Sequence, residues 1–374
     1  MDFGKITPFF ILIFIESLFL SCKPLSLDPS LASAFPQDNW EKVSYLEVGL
    51  DSIQLEKALD YLASQSYGDG VSEVVIVRNG RVVFQGDSVT KSHNIYSCTK
   101  GFTSLVMGLL EAEGRLSIRD KVYKTLPELE SGYAEVTWEH FATMTSGYSG
   151  AGISRWNEEN SDWSWTPYSP EAPHFTPGSH YEYWDEAQMM FGKGLTTLLN
   201  GSMKSYLDQK IMSPIGIDSW SWASEQALEN GIAIQNGCTG ISLNALDAAR
   251  VGLLFLNQGK WEGKQLIPEE FVKKALSAQV AASVPVYPGD RASVKGSGSY
   301  GYNWWVNSTD GLSRMPDAPL GVAYLSGLNH NIILVVPEWN MLLVRLGDDK
   351  NPDLPKHVVW NEFLRLVGEA LIDS

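Results

Sequence analysis

The sequence predicts an α+β fold in which both ends of the chain build one antiparallel sheet and a mostly helical lobe is inserted between its halves. Three observations support this prediction. A hairpin pattern lies close to residue 80, helix and loop patterns dominate from about residue 115 to 300, and strand patterns return after about residue 320. A chain of 374 residues can bury a large core, either in one complex domain or in two closely packed lobes.

The first half of the sheet is predicted from a short stretch of sequence. Residues 51–65 have helical character, and the apolar runs Val74–Arg78 and Arg81–Gln85 follow. Asn79-Gly80 joins the two runs, and this dipeptide is the strongest short-range signal for a β-hairpin. We therefore expect a helix and then a hairpin before the next helical pattern.

The second half of the sheet is predicted near the carboxyl end. Short strand patterns cover Gly321–Leu325, Asn331–Val336 and Met341–Leu346. A helix from about Val358 to Leu371 closes the chain. Because strands occur at both ends of the chain, we expect them to complete one sheet.

The lobes follow from this arrangement. The sheet lobe is expected at about residues 45–96 and 301–374, and the helical lobe at about 97–300. Within the helical lobe, Asn244–Asn257 predicts a helix that Asn244 caps. A cleft between the two lobes is where a binding site is expected.

The amino terminus has the pattern of an export signal. Lys5 precedes the apolar run Ile6–Leu20, which is too short and too interrupted to span a membrane. The end of this run, Leu18-Phe19-Leu20-Ser21-Cys22, resembles a bacterial lipoprotein signal. We therefore predict a signal peptide at 1–21, lipidation at Cys22 and a flexible tether over 22–44. The chain would then be an exported, membrane-anchored lipoprotein of a bacterial cell envelope.

Two alternatives to lipidation stay open. Cleavage after Ala32-Ser33-Ala34 would release a periplasmic or secreted protein, and an uncleaved segment would act as the anchor itself. The formal net charge of −16 argues against nucleic acid or an anionic membrane surface as the main partner, so membrane contact is expected only through a lipid. The sequence does not predict an oligomeric state.

Composition and spacing also bear on cofactors. Cys98 and Cys238 are expected to be buried free thiols, although one disulfide is possible in an exported protein. The six histidines are scattered, and no spacing indicates a metal site. We predict that the protein uses neither a metal nor another cofactor.

The segment Ser97-Cys98-Thr99-Lys100 indicates serine chemistry. Apolar residues at helical spacing follow it, namely Phe102, Leu105, Val106, Leu109 and Leu110. Ser97 is therefore expected in the first turn of a helix, with Lys100 one turn further on and reaching back to its hydroxyl. Ser88 and Lys91 have the same spacing but lie in a polar stretch that is typical of an exposed loop.

Lys100 is the expected proton acceptor. Both the positive end of the helix dipole and partial burial disfavour an ammonium ion, which predicts an amine neutral enough to take a proton. Tyr183, in the string Tyr183-Trp184-Asp185, can complete a proton relay. A serine, a lysine and a tyrosine together are the working groups of a serine acyl-transfer enzyme that needs no histidine.

At this point the chain resembles the serine β-lactamase-like hydrolases, a group that includes class C β-lactamases, DD-peptidases and esterases. The branch of family VIII carboxylesterases and 6-aminohexanoate-dimer hydrolases is the most similar. The similarity runs from about residue 70 to 370 and rests on several motifs together. Besides the Ser97 helix, these are Glu113-Gly114-Arg115-Leu116-Ser117, Thr143-Met144-Thr145-Ser146-Gly147, Pro177-Gly178 ahead of Tyr183-Trp184-Asp185, Gly259–Pro268 and Gly301-Tyr302-Asn303-Trp304-Trp305.

The resemblance implies a role for each matching residue. Ser97 would attack the carbonyl, Lys100 would accept its proton, and Tyr183 would pass that proton to the leaving group and later activate water. Asp185 would hold Lys100 by charge and hydrogen bond, although a carboxylate there favours the ammonium form. Tyr181 is a rival for the role of Tyr183 but lacks an amide or acid residue two positions on.

The resemblance also implies an oxyanion hole. The third family motif falls at Leu325-Ser326-Gly327, where Gly327 would let the substrate lie against the strand. The backbone N–H groups of Ser97 and Leu328 would then stabilise the oxyanion. Two positions depart from the family pattern: Leu325 replaces a cation that binds substrate carboxylate, and Asn329-His330 replaces a glycine pair.

These residues predict a serine hydrolase that cleaves a small, neutral ester or amide through a covalent acyl-enzyme. One alternative keeps the mechanism but takes β-lactams or cell-wall peptides as substrates. Another is a catalytically idle lipoprotein that binds a ligand in the same cleft. The aromatic segment Trp156–Trp184 is expected either to anchor a long loop or to line an apolar pocket.

Overall fold

The computed structural model describes Met1 and residues 34–65, 70–151, 166–289, 292–307, 313–347 and 356–372. The rest of the predicted signal peptide, the predicted lipidation residue Cys22 and residues 23–33 of the predicted tether therefore lie outside the described residues. Trp156, Trp163 and Trp165 of the aromatic segment lie outside them as well. Within the described part of the chain, no helix is both long enough and apolar enough to cross a membrane.

The described residues form the predicted helices and strands in order, together with short strands between about residues 115 and 300 that the sequence did not predict. The helices are α1 (Ser52–Gln65), α2 (Thr99–Ala112), α3 (Glu130–Tyr133), α4 (Trp138–Ala142), α5 (Asp185–Leu199), α6 (Met203–Leu207), α7 (Ala245–Leu256), α8 (Glu269–Ala275) and α9 (Lys356–Glu369). The strands are β1 (Val74–Arg78), β2 (Arg81–Gln85), β3 (His93–Asn94), β4 (Gly150–Ala151), β5 (Thr166–Pro170), β6 (Ser221–Trp222), β7 (Ser224–Ala227), β8 (Ala233–Gln235), β9 (Ile241–Leu243), β10 (Lys260–Trp261), β11 (Lys264–Gln265), β12 (Trp305–Val306), β13 (Ala323–Ser326), β14 (Ile332–Val336) and β15 (Met341–Arg345).

One six-stranded sheet joins the two ends of the chain. Its strand order is β12-β13-β14-β15-β1-β2, and every neighbouring pair is antiparallel. Strand β15 pairs with β1 so that Arg345 lies opposite Val74 and Met341 lies opposite Arg78. The predicted α+β architecture is confirmed, because residues almost the whole length of the chain apart complete the same sheet.

Both faces of the sheet are buried, and alternate residues face different helices. Val75 and Val77 belong to a core that also contains residues of α2 and α7. Val74 and Ile76 belong to a second core built with α1 and α9, the first and last helices of the fold. Double burial explains why strands β1, β14 and β15 are continuous apolar runs without polar alternation.

Two local predictions are confirmed by their geometry. Asn79 and Gly80 connect β1 and β2 with φ values of 53° and 75°, as a tight hairpin turn with two left-handed residues requires. The side chain of Asn244 accepts a hydrogen bond of 2.9 Å from the backbone N–H of Asp247 and so caps α7.

Residues 34–44, which the sequence predicts to be part of a flexible tether, pack against the domain instead. The backbone of Glu41 and Val43 bonds to Val82 at 2.9 and 3.1 Å, which covers the outer edge of β2. Arg250 of α7 is almost fully buried and donates 2.8 Å hydrogen bonds to the carbonyl oxygens of Gln37 and Ile215. A composition rich in proline predicts a tether, but it carries no information about these distant partners.

We predict that Arg250→Met will release the amino-terminal segment. The substitution keeps the apolar stem but removes charge-assisted hydrogen bonds, at a cost of roughly 2 kcal/mol of unfolding free energy. Amide hydrogen exchange over residues 34–44 should therefore become faster. Arg115→Met is the matched control, because Arg115 donates to carbonyl oxygens of α5 instead. Unchanged exchange over 34–44 in Arg250→Met would show that other contacts hold this segment.

Candidate active site

Ser97 lies in a single 3₁₀ turn, Tyr96–Cys98, that leads directly into α2. The turn begins at Tyr96, whose φ of 48° is left-handed and reverses the chain after β3. Ile95 connects the turn to β9, because its N–H donates to the carbonyl oxygen of Ile241 at 2.9 Å. The sequence predicts Ser97 in the helix itself, whereas the structure places it two residues before α2 and leaves its side chain half-buried.

Lys100 reaches back to Ser97 as predicted. Its Nζ lies 2.9 Å from Oγ of Ser97, 3.2 Å from the carbonyl oxygen of Cys238 and 2.5 Å from Oδ1 of Asp185. The side chains of Lys100 and Asp185 are only 1% and 3% exposed. Lys100 is the second residue of α2 and Asp185 is the first residue of α5, so the two helix starts meet at this ion pair.

Tyr183 completes the group. Its ring centroid lies 4.9 Å from Nζ of Lys100, and its hydroxyl is within hydrogen-bonding reach of Ser97 and Lys100. The ring stacks on Trp305 with a centroid distance of 5.6 Å. Tyr181, the rival in the sequence, is fully buried against Tyr300, and its hydroxyl has no hydrogen-bond partner within the described residues.

The charges of the site differ from the prediction of a neutral amine. Burial is the largest influence on the pKa of Lys100 and lowers it, but the negative charge of Asp185, with contributions from Tyr183 and Cys238, raises this pKa overall. The raised pKa favours the ammonium form of Lys100. Asp185 prevails over the helix dipole because its carboxylate is in direct contact with the amine.

Burial also raises the pKa of the Tyr183 phenol. The charge of Lys100 and the hydrogen bonds from Ser97 and Lys100 work against this effect but do not cancel it. The raised pKa values thus favour the protonated forms of both Tyr183 and Lys100.

Asn303 is a residue of the site that sequence reasoning missed. Its Nδ2 donates to the carbonyl oxygen of Lys100 at 2.9 Å and to Oε1 of Gln188 at 2.7 Å. Gln188 lies one turn after Asp185 on α5, so Asn303 connects the helices that carry the two charged residues. The only signal was the motif Gly301-Tyr302-Asn303-Trp304-Trp305, and that signal did not assign the asparagine a contact.

The segment around Cys238 lies between α2 and α5. Thr103 of α2 donates to the carbonyl oxygen of Gly237 at 2.9 Å, and Thr99 accepts from the N–H of Ile241 at 3.2 Å. A side chain at Gly237 would collide with the backbone of Gln188, since its Cβ would lie 2.0 Å from that carbonyl oxygen. The close approach directs the Cys238 carbonyl at Lys100. Cys98 and Cys238 are both buried, and neither forms a disulfide within the described part of the chain, as predicted.

Gly327 has a packing role that the sequence did not predict. A Cβ at this position would lie 2.2 Å from the carbonyl oxygen of Ile95, so glycine is needed for the end of β13 to approach the turn that carries Ser97. The N–H of Gly327 donates to Asn331 at 2.8 Å. Among the backbone hydrogen bonds that the described residues form outside their helices and strands, none is donated by the N–H groups of Ser97 and Leu328.

The turn after Leu328 explains a departure from the family pattern. Asn329 and His330 both have left-handed φ values, 58° and 56°, which is why glycines suit these positions. Among residues that carry a side chain, asparagine and histidine are both enriched in this conformation, so they can replace the glycine pair. The turn is closed by Asn331, whose Nδ2 donates to the carbonyl oxygen of Leu328 at 2.7 Å.

Leu325 places no charge in the site. Its side chain is 1% exposed and packs on α2 at Gly101, where an added Cβ would lie 2.4 Å from the leucine. The position that would carry a substrate-binding cation is thus part of the hydrophobic core. The family resemblance predicted that position 325 lacks the usual cation, but it did not predict the contact with Gly101.

The competing pair Ser88 and Lys91 does not form a similar site. Lys91 is exposed and its Nζ lies 3.7 Å from Glu73, while Ser88 Oγ bonds to Asp87. Within the described residues, no cluster of three or more histidine, cysteine or acidic side chains is arranged to hold a metal ion.

We predict that Gly327→Ala will disturb the site and the fold together. Relieving a 2.2 Å contact requires β13 to move away from the Ser97 turn, at a cost of roughly 1–3 kcal/mol in unfolding free energy. Denaturant unfolding measures this cost. Gly201→Ala is the control, because its nearest neighbour would be 3.9 Å away. Equal stability of the two variants would contradict the proposed reason for glycine at position 327.

Comparison with known proteins agrees with this geometry. A family model described as β-lactamase matches residues 61–353. Protein flp of Staphylococcus aureus strain N315 is 25% identical over 183 residues, which is 43% of this chain and 36% of that protein. The chain thus spans only about a third of the length of the curated relatives that it matches.

Solved structures with the same fold have low sequence identity. A candidate 6-aminohexanoate-dimer hydrolase from Bacillus anthracis is 19% identical with a TM-score of 0.65, covering 90% of this chain and 87% of its own. EstCE1, described as a hydrolase with promiscuous acyltransferase activity, is 15% identical with a TM-score of 0.61, covering 86% of this chain and 99% of its own. Because the family match covers most of the described domain, this protein belongs to the β-lactamase family and has the fold of its serine hydrolases.

Proposed function

We propose that the protein is a serine hydrolase that cleaves a small ester or amide through a covalent acyl-enzyme on Ser97. The observation that carries this proposal is the 2.9 Å contact between Ser97 Oγ and Lys100 Nζ inside a group that also contains Tyr183 and Asp185. A half-buried serine hydroxyl beside a buried amine and phenol has little structural purpose, whereas nucleophilic catalysis needs these groups in contact.

The reaction would proceed in two stages. Ser97 Oγ attacks the carbonyl carbon while its proton passes toward the Lys100 side chain. The N–H groups of Ser97 and Leu328 stabilise the oxyanion. Each such donor is worth roughly 3–4 kcal/mol in the transition state. Tyr183 then protonates the leaving group, and in the second stage water attacks the acyl-enzyme and gives its proton to the same group of side chains.

The proposed substrate class is uncharged near the scissile bond. Leu325 supplies no cation for a substrate carboxylate, and Leu328 beside the site is 41% exposed and offers an apolar contact. The names of the similar structures are compatible with this class, since 6-aminohexanoate dimer contains an amide and an acyltransferase forms acyl intermediates. Small esters and amides are therefore the substrates to test first.

For location, we propose export and lipid anchoring at Cys22. The sequence pattern around Cys22 supports this, and the chain joins the domain at Ala34, twelve residues later. Twelve extended residues reach at most about 40 Å, so an anchored domain would stay close to the membrane surface.

One prediction of the proposed function concerns the nucleophile. A fluorophosphonate probe should label the protein at Ser97, and peptide mass spectrometry should locate the adduct there. Ser97→Ala should abolish labelling because no other described serine contacts a buried amine in this way, while Ser88→Ala should be labelled normally. An adduct on another residue, or labelling of Ser97→Ala, would overturn the assignment.

The second prediction separates the proposed substrates from β-lactams. Without a cation at position 325, kcat/KM for a neutral p-nitrophenyl ester should exceed that for nitrocefin, because one missing charged hydrogen bond costs the β-lactam a factor of roughly 10 to 100 in kcat/KM. Steady-state kinetics on the same preparation provides the comparison. Faster turnover of nitrocefin would favour a β-lactamase instead.

A further inference from the structure

This inference rests on the proposed function and concerns the destination of the Ser97 proton. Lys100 Nζ is surrounded by Ser97 Oγ at 2.9 Å, the Cys238 carbonyl oxygen at 3.2 Å and Asp185 Oδ1 at 2.5 Å. An ammonium nitrogen facing three oxygens uses its protons as donors and has no lone pair. It cannot accept the proton of Ser97 until it gives up one of its own.

The neighbours of Nζ differ in their ability to keep a proton. An amide carbonyl such as that of Cys238 is a very weak base. The Tyr183 phenol already carries its proton, because burial raises its pKa. The carboxylate of Asp185 is the remaining neighbour, and it is in direct contact with Nζ. Water has little access to the pair, since both side chains are almost fully buried.

We propose that Asp185 is the proton acceptor of the acylation step, with Lys100 acting as the group that conducts the proton from Ser97 to it. In this step the Ser97 Oγ–H bond breaks and the bond from Oγ to the carbonyl carbon forms. The serine proton moves to Nζ as one ammonium proton moves from Nζ to Oδ1. The carboxylate becomes a carboxylic acid, Lys100 remains an ammonium ion, and the electron pair of the C=O bond moves to the oxyanion.

The proton then returns from Asp185 through Lys100 and Tyr183 to the leaving group. When the tetrahedral intermediate collapses, the leaving group takes the proton of Tyr183. Tyr183 takes one from Lys100, and Lys100 recovers its own from Asp185. The site returns to its resting charges without an external acid. Deacylation repeats the sequence with water in place of Ser97.

Two features of the fold suit this exchange. The surroundings exclude water, and a buried environment reduces the preference for an ion pair over its neutral form, a carboxylic acid beside an amine. Asn303 holds the backbone of Lys100 and the helix of Asp185 together, so that the 2.5 Å contact is maintained. The other titratable groups that face the pair are Tyr183, Tyr300 and the Cys238 thiol.

The experiment is the pH dependence of Ser97 acylation, measured as the rate of fluorophosphonate labelling in the full chain. If Asp185 accepts the proton, the wild-type rate should be constant from neutral to alkaline pH and fall only in an acid limb, because no group has to lose a proton to solvent first. In Asp185→Asn, Lys100 must first lose a proton to solvent. The acid limb should then move to higher pH, and the rate should change about tenfold per pH unit along it.

The competing mechanisms predict that the acid limb of the Asp185→Asn profile moves in the opposite direction. If the base is a Lys100 amine or a Tyr183 phenolate formed by loss of a proton to solvent, the wild-type rate should rise through the alkaline range. Removing the carboxylate lowers the pKa of both groups, because Asp185 raises each of them. The acid limb of Asp185→Asn would then move to lower pH. That direction, or an alkaline limb in the wild type, would overturn the proposal.

A control variant and the wild-type profile keep the experiment decisive. Glu186→Gln is the matched control, because Glu186 is the next residue of α5 and is buried, yet its Oε2 binds the N–H of Gly150 at 2.8 Å. Its pH profile should match the wild type. Should Asp185→Asn fail to fold in a thermal melt, the wild-type profile alone still separates the two predictions. Absence of any labelling of wild-type Ser97 would instead count against the proposed function.

Discussion

The site depends on the contact between Lys100 and Asp185. Each charge would be costly alone in the interior, and removing one partner of such a pair typically costs about 3–5 kcal/mol. The 2.5 Å contact therefore stabilises the meeting of α2 and α5 as well as the charge state of the amine. The arrangement also sets the chemical problem of the site, since an ammonium ion beside a serine cannot act as a base until its own proton has moved.

The sheet serves this contact by bringing distant parts of the chain to it. Pairing of β15 with β1 joins the two ends of the chain in one sheet. Strand β13 of the same sheet then ends next to the turn that carries Ser97. Gly327 allows this approach because the Ile95 carbonyl oxygen occupies the space of a side chain. Leu325 packs on Gly101 at the same junction, so this uncharged residue also secures α2 against the sheet.

Local patterns predicted the elements, and long-range contacts decided the rest. Asn79-Gly80 and the cap at Asn244 depend on a few neighbouring residues, and both were correctly predicted. The sequence predicted two opposing effects on the charge of Lys100, the helix dipole and the Asp185 carboxylate, but it could not show the 2.5 Å contact that makes the carboxylate prevail. The docking of residues 34–44 depends in part on Arg250, more than 200 positions away, and composition alone could not indicate it.

The central claim is that Ser97, Lys100, Tyr183 and Asp185 act as one catalytic group, and a crystal structure of the phosphonate-treated protein tests it most directly. The account predicts phosphorus bonded to Ser97 Oγ, a phosphonyl oxygen between the N–H groups of Ser97 and Leu328, and Lys100 Nζ still in contact with Asp185. Phosphorus on a different residue, or a Lys100 side chain turned away from both Ser97 and Asp185, would contradict it.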